Sequence, residues 1–486
     1  MKRRTMLAGV AASAAASAVA PAARAQADKT KIVFWHAMTG ANGEEINRIA
    51  RDFNAAQAAV ELEPVFKGSY PETLTAAIAA WRAGQAPHVV QVFEVGTGSM
   101  LAAGPAVKQV WQLIQETGAK IDPNAYLPAV RGYYSLADGR LASAPLNSST
   151  PVMWYNKNAF ETAGLDPEKP PQTWQEFVIA ARVLKEKWAS KGQDQVASTS
   201  AWLTWVQLET YSAIHNVPYA TKADGFGGLD AELKLNGPAQ VKHLQRLLDM
   251  AKEGTFKYAG RDGAPDPLFY TGQAAIGFGS SSGRADIVRN AKFKWAAAVL
   301  PYDPEVAQGP SELDTLIDSV DVDTLSLRET FAFLKKLKTA DRRPGPVNSI
   351  IGGASLWTMT APNRTPAEYK AVAGFLEFIG RPDQVALYHQ HTGYVPVTQA
   401  GYELSKQQGY YEKTPGADVA IKSLTRGTVT ENSKGLRLGR LPEIRNIIYE
   451  EVEKALQGQQ GAQQALDSAV TRGNVVLRAF EKSVKS

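Results

Sequence analysis

The side chains that could do covalent or metal chemistry are few in this chain, and none has a partner at a useful spacing. The 486 residues contain no cysteine, which removes thiol nucleophiles and disulfides together. The six histidines are His36, His88, His215, His243, His389 and His391. None stands in an HExxH arrangement. Only His389-Gln390-His391 looks metal-like, and that pair reads better as a helix end before the Thr392-Gly393 turn. The serines of Asn147-Ser148-Ser149 lack any base evident in the sequence, and neither a GxSxG elbow nor a Walker loop occurs. What remains is chemistry of capture: groups that hold a small polar molecule without transforming it.

Alternating strands and helices must position those groups. Lys31 to Ala37 reads as a buried strand, and Ile46, Ile49, Ala50 and Phe53 then form a helical face. Val60 to Lys67 is the next strand, Pro71 to Arg82 a helix with proline in its first turn, and His88 to Val95 a third strand. Strands separated by helices of about 10–15 residues predict a parallel, helix-flanked sheet, and ligands of such sheets sit beyond the carboxyl ends of the strands. Between Pro151 and Trp174, an aromatic strand (Val152 to Tyr155) leads into a short amphipathic turn. Gly164 suits the positive φ that ends a helix, and Thr173 is placed to cap the helix opening at Trp174.

The amino terminus predicts export. Lys2-Arg3-Arg4 is a basic start, Met6 to Val19 an alanine-rich apolar run, and Ala23-Arg24-Ala25 a small-x-small cleavage site before Gln26. The arginine pair matches a twin-arginine signal only in part. Residues 1–25 hold no acid and four of the 53 basic residues, so the formal charge of +5 falls to +1, with 49 basic against 48 acidic residues in the mature chain. That balance gives no reason to expect nucleic acid or a membrane surface as partner. The remaining 461 residues are enough for two domains with separate cores.

As a whole string, the Pro151–Trp174 stretch resembles the signature of family 1 extracellular solute-binding proteins, the ligand-capturing components of ABC importers. The branch of that family that binds sn-glycerol-3-phosphate is resembled through an ordered set of further motifs. These are Phe34-Trp35-His36, Asn147-Ser148-Ser149-Thr150-Pro151, Ile350 to Trp357, His391 to Val397, Gly409-Tyr410-Tyr411-Glu412, Pro415 to Asp418, Lys434 to Gly439, and Pro442 to Arg445. The resemblance implies an α/β chain with the two-lobed periplasmic binding protein fold (type II), its ligand cleft lying between lobes joined by hinge crossovers. It places residues 26–138 and 298–390 in lobe 1, and 139–297 and 391–486 in lobe 2. It implies a periplasmic monomer, no cofactor, no metal and no catalytic residue. Its partners are the small-molecule ligand and ABC permease subunits with a separate ATPase.

Carried over position by position, the resemblance makes Tyr70 a ligand contact and Glu94 the carboxylate that takes glycerol hydroxyls. It makes Ser149 the second serine of its motif and Trp202 the aromatic wall. Ser280 is a binding serine, with Ser281 and Ser282 as register alternatives; Gly353, Tyr394 and Arg445 complete the set. A phosphate monoester carries nearly two negative charges, and hydroxyls, glycine N–H groups and a guanidinium fork are apt donors for it. Taken alone, these residues have plainer uses: Arg445 could form a surface salt bridge, while Tyr70 and Trp202 could pack in a core. Trp174 and Trp205 are read as core.

Two other readings stay open. One is a carrier of the same class for an oligosaccharide or other polyol, and the other a periplasmic glycerophosphodiesterase. Within the carrier reading, glycerophosphocholine and related diesters share the glycerol phosphate moiety. One departure from the family pattern is large: residues 308–345, expected as an insertion within lobe 1, stand where a short connection belongs. Within it Leu327, Phe331 and Leu334 make a helical stripe suited to an extra surface helix or a partner-docking face.

Overall fold

The computed structural model describes residues 29–191, 194–307, 309, 329, 333, 336, 345–427 and 429–485. The export segment and the helical stripe at Leu327, Phe331 and Leu334 therefore lie outside the described residues.

Eleven strands among these residues form two sheets. β1 (Thr30–His36), β2 (Val60–Phe66), β3 (Val89–Phe93), β4 (Val107–Lys108) and β5 (Ala144–Ser149) belong to the first. β6 (Pro151–Asn156), β7 (Val196–Ser200), β8 (Phe256–Lys257), β9 (Ala274–Ser280) and β10 (Trp295–Ala298) make the second, in the order β10-β6-β9-β7-β8. β11 (Gly352–Met359) then returns to the first sheet, whose order is β2-β1-β3-β11-β4 with β5 also on β11. The expected parallel pairing holds for β1 with β2 and β3. β11, however, runs antiparallel to β3, β4 and β5, so the sheet is mixed. A strand entering from the other lobe has no helical crossover to set its direction, which is why local βαβ spacing did not foretell it.

The predicted local signals appear where expected. Gly164 ends the helix Lys157–Ala163 at φ 76°. Thr173 caps the helix Trp174–Lys187, with Glu176 closing the capping box. Gly393 ends the helix Pro382–Thr392, so His389 and His391 do close a helix. His389 is taken up by the Tyr394 carbonyl and Tyr411 hydroxyl, and His391 by Glu45. No cluster of three or more potential metal ligands occurs among the described residues.

Both faces of the first sheet are covered. Ile32, Phe34, Phe53 and Phe375 pack on one side, while Val90, Val92 and Trp357 join a larger core running through Trp205 to Met153, Phe177 and Phe278 of the second lobe. Each such side chain withdrawn from water contributes about 1.5–3 kcal/mol.

Three lobe boundaries need correction. β5, expected in lobe 2, is bonded to β11 of the first sheet, so the chain crosses at Thr150. The residues flanking the insertion, expected in lobe 1, are bonded to lobe 2: Asp303 is held by Tyr211, His215 and Arg246, and Val347 donates to the Ile214 carbonyl. Gly309 and Gly345 pair across its neck. The segment after Gln390 stays with lobe 1, where Val395 donates to Ser148 and Leu127 to Val397. Adjacent strands that are both buried along their whole length carry no label for the sheet they will join, and these pairings are set by long-range contacts.

Two consequences can be measured. Gly353 sits at φ +87°, and a Cβ there would lie 1.8 Å from the Asn147 carbonyl oxygen. Gly353→Ala is expected to lower unfolding free energy by about 2–3 kcal/mol in urea titrations. Burial raises the Asp224 carboxyl from 3.8 to about 7, against hydrogen bonds from Ala220 and Tyr219 N–H. A raised carboxyl pKa favours folding below the unfolded value and loses that contribution as pH climbs through 7. Stability should therefore decline between about pH 4 and 7 by up to about 1.4 kcal/mol per unit from this group. Asp224→Asn should flatten the slope in denaturant titrations run across that range.

Candidate ligand-binding site between the lobes

The strand ends converge where the chain crosses between sheets. β2 runs into Gly68, whose φ of +88° turns the chain, and Ser69 caps the next helix with Glu72 completing the box. Tyr70 is thereby fixed in the first helical turn. Its ring stacks on Phe93 at 5.2 Å and its hydroxyl accepts a 2.9 Å hydrogen bond from Asn147 Nδ2. Gln91 in turn donates to Asn147 Oδ1. Glu94 is the first residue beyond β3. Ser149 ends β5 and pairs with Gly352, beside Gly353. Ser280 ends β9, and its hydroxyl lies 2.8 Å from that of Ser282. Ser281 turns away to accept from Thr150 N–H, while Ser280 and Ser282 both face the site.

All eight residues named from the sequence line one cavity. Phe93, Trp205, Ser282 and Gly352 complete its wall. Trp205, expected in the core, does both: it is 5 % exposed, joins the larger core and faces the cavity. Gly352 lets it do so, since a Cβ there would come within 2.3 Å of the indole. Trp202 holds an uncommon positive φ of 51°, and its N–H donates to the Asp262 carbonyl at 2.6 Å. Backbone strain of this kind persists only when the surroundings over-determine it, and it gathers at ligand sites. Tyr394 lies on lobe 1, not lobe 2, because its neighbour Val395 pairs with Ser148.

Arg445 crosses the cleft. Its Nε and Nη2 donate to the two carboxylate oxygens of Glu209 at 2.7 Å each, and Nη2 also reaches Glu94 Oε1 at 2.9 Å. The guanidinium fork expected to face a phosphate is thus taken by Glu209, and only Nη1 has no acceptor among the described residues. Sequence reading missed Glu209, because its importance lies in a partner 236 positions away. All three side chains are buried, so one guanidinium meets two carboxyl groups out of water. Burial pushes the Glu94 carboxyl above the usual range; Arg445 opposes this and Glu209 adds to it. Burial likewise raises Tyr70 and Tyr394, which keeps both phenols protonated as donors. Around the cavity, the donors for an anion are therefore mainly neutral: two tyrosines, three serines and backbone N–H groups.

Removing the arginine should leave two buried carboxylates facing each other. Arg445→Ala is expected to lose about 3–5 kcal/mol of unfolding free energy. Adding Glu94→Gln and Glu209→Gln to that variant should recover part of it, as measured by urea denaturation.

Comparison with known proteins places the chain in a family. Residues 15–325 match the family described as bacterial extracellular solute-binding protein. The sn-glycerol-3-phosphate-binding periplasmic protein UgpB of Pectobacterium atrosepticum is 43% identical over 94% of this chain and 93% of its own. That of Escherichia coli K12 is 42% identical over 98% of both. Among solved structures, UgpB from Mycobacterium tuberculosis in complex with glycerophosphocholine superposes with a TM-score of 0.72 at 21% identity, covering 93% of this chain and 99% of that one. Maltose-bound MalE3 of T. maritima gives 0.67 at 16%, over 92% and 100%.

Proposed function

Because this chain belongs to the bacterial extracellular solute-binding proteins, we propose that it captures sn-glycerol-3-phosphate in the periplasm and delivers it to the permease of an ABC importer. It is a binding protein, not an enzyme, and its partners are that small molecule and the membrane permease with a separate ATPase. The observation that carries the ligand assignment is the convergence of all eight positions on one cavity, in a chain 42–43% identical to sn-glycerol-3-phosphate-binding proteins.

The chemistry divides the site in two. Ser149, Ser280, Tyr394 and the Gly353 backbone offer O–H and N–H donors suited to phosphate oxygens. Arg445, anchored by Glu209, adds a positive charge whose Nη1 remains for the ligand. Glu94 accepts from glycerol hydroxyls, and Tyr70 and Trp202 cover the carbon skeleton. Glycerophosphodiesters carry the same glycerol phosphate and fall within the proposed range.

Lobe closure follows from ligand touching both sides, since only a difference in affinity between open and closed forms shifts their balance. In the structure the lobes already meet across the cleft, at Arg445–Glu94 and at Arg289–Glu44.

Calorimetric titration with sn-glycerol-3-phosphate, glycerophosphocholine, glycerol and maltose should give heat only for the first two. Maltose binding alone would move the protein to the sugar carriers. Glu94→Ala should weaken sn-glycerol-3-phosphate by tenfold or more while changing inorganic phosphate about twofold or less. Equal losses would refute the division of the site.

A further inference from the structure

Arg445 has one carboxyl group more than it needs. Glu94 across the cleft already gives the guanidinium a partner, yet Glu209 meets the same group with both of its oxygens. Glu209 is 3 % exposed and does not line the ligand cavity. A buried ion pair adds little stability that apolar packing could not supply, so folding alone does not account for this second carboxylate. The backbone here is uncommon too. Glu209 ends a π-helix, Thr204–Glu209, in which the Thr210 N–H bonds to the Trp205 carbonyl five residues back. Such wide turns are rare and gather at functional sites. This one carries a residue of the cavity wall, Trp205, and the partner of the arginine, Glu209, and it follows closely on the positive φ of Trp202.

The consequence lies in the guanidinium hydrogens. A guanidinium has five N–H donors and grips an oxyanion best through a forked edge, Nε with Nη2 or Nη1 with Nη2. Glu209 takes the first edge whole, at 2.7 Å on each arm. Glu94 takes a further Nη2 contact at 2.9 Å, so the other edge is broken as well. Only Nη1 has no acceptor among the described residues. A fully ionised oxyanion such as sulfate therefore finds no open fork, no uncompensated cation, and a Glu94 carboxyl to which it has no O–H to give. A ligand with both phosphate and hydroxyl groups has something for each wall. Its hydroxyls suit Glu94, and its phosphate suits the serines, Tyr394 and the Gly353 amide.

We propose that Glu209 is a specificity-determining residue of this site. By occupying the Arg445 fork it denies tight binding to simple oxyanions, sulfate and inorganic phosphate among them, and reserves the cavity for ligands that also donate hydroxyls to Glu94. It is a positioning residue that acts through Arg445. The inference rests on the function proposed above and adds how that site refuses ions resembling only the head group of its ligand.

The test is calorimetric titration of wild type, Glu209→Gln, and Glu209→Gln combined with Arg445→Ala, using sulfate, inorganic phosphate and sn-glycerol-3-phosphate. Gln keeps the shape of Glu209 and removes its charge; circular dichroism and thermal unfolding check that each variant is folded. Glu209→Gln should bind sulfate about tenfold or more tighter than wild type, because an uncompensated guanidinium is returned to the cavity, and inorganic phosphate should move the same way. The preference for sn-glycerol-3-phosphate over sulfate should narrow with it. Adding Arg445→Ala should abolish the gain. A purely structural role for Glu209 predicts weaker binding of every compound, and lost packing does not produce tighter binding of an anion. Sulfate bound no tighter by Glu209→Gln, or a gain that survives Arg445→Ala, would overturn the inference. Wild type that binds no sn-glycerol-3-phosphate would refute the function proposed above, while the sulfate comparison would still decide this one. Should Glu209→Gln misfold, wild-type crystals grown from ammonium sulfate decide instead. Arg445 still paired with Glu209 supports the inference, and a sulfate held in the Nε–Nη2 fork overturns it.

Discussion

One guanidinium between two carboxylates organises this molecule. Arg445, from the helix Leu441–Leu456, reaches Glu209 within its own lobe and Glu94 across the cleft. Buried ion pairs contribute little net stability when compared with apolar packing, but leaving one partner alone is severe. The triad therefore works as a positional constraint. It fixes the arginine at the cavity wall, holds the end of β3 against lobe 2, and leaves the surroundings without net positive charge. That balance limits what the cavity can hold. Anionic oxygens must be met by neutral hydroxyls and backbone amides on the far side, while hydroxyl donors are welcome beside Glu94.

The hinge serves the same geometry. Thr150 is the single residue between β5 of one sheet and β6 of the other, and its hydroxyl lies 2.7 Å from that of Ser349 and 2.8 Å from the Ile350 carbonyl on the neighbouring crossover. Ser149 and Gly352 flank that hand-over point, so the residues that meet a ligand also sit where the lobes pivot. The close backbone approach at Gly353 belongs to this arrangement, since a side chain there would push β5 and β11 apart. Tyr133 adds a further tie, its hydroxyl lying 2.9 Å from the Glu94 carbonyl and also contacting the Leu436 carbonyl of the opposite lobe.

Much of this was legible in the chain. Strand and helix patterns around Ile32, Phe53 and Val92, the cap at Thr173 and the turn at Gly164 are local signals, and local signals survive folding. The eight cavity positions were found through resemblance of ordered motifs, since composition and spacing alone left a lone glutamate or arginine ambiguous. What stayed hidden depends on distant partners. Glu209 has no neighbouring cue for its pairing with Arg445, Trp205 serves core and cavity at once, and β5 is buried along its whole length as β6 is while joining the other sheet. The antiparallel entry of β11 is of the same kind, being decided by the second crossover and not by its own residues.

A crystal structure of the mature protein with bound sn-glycerol-3-phosphate tests the account most directly. Phosphorus density is expected between the Gly353 amide and the hydroxyls of Ser149, Ser280 and Tyr394, with glycerol oxygens at Glu94 and Arg445 still bonded to Glu209. Phosphate seated away from those donors, or an Arg445 released from Glu209 to embrace it, would contradict the assignment of the triad as a fixed constraint.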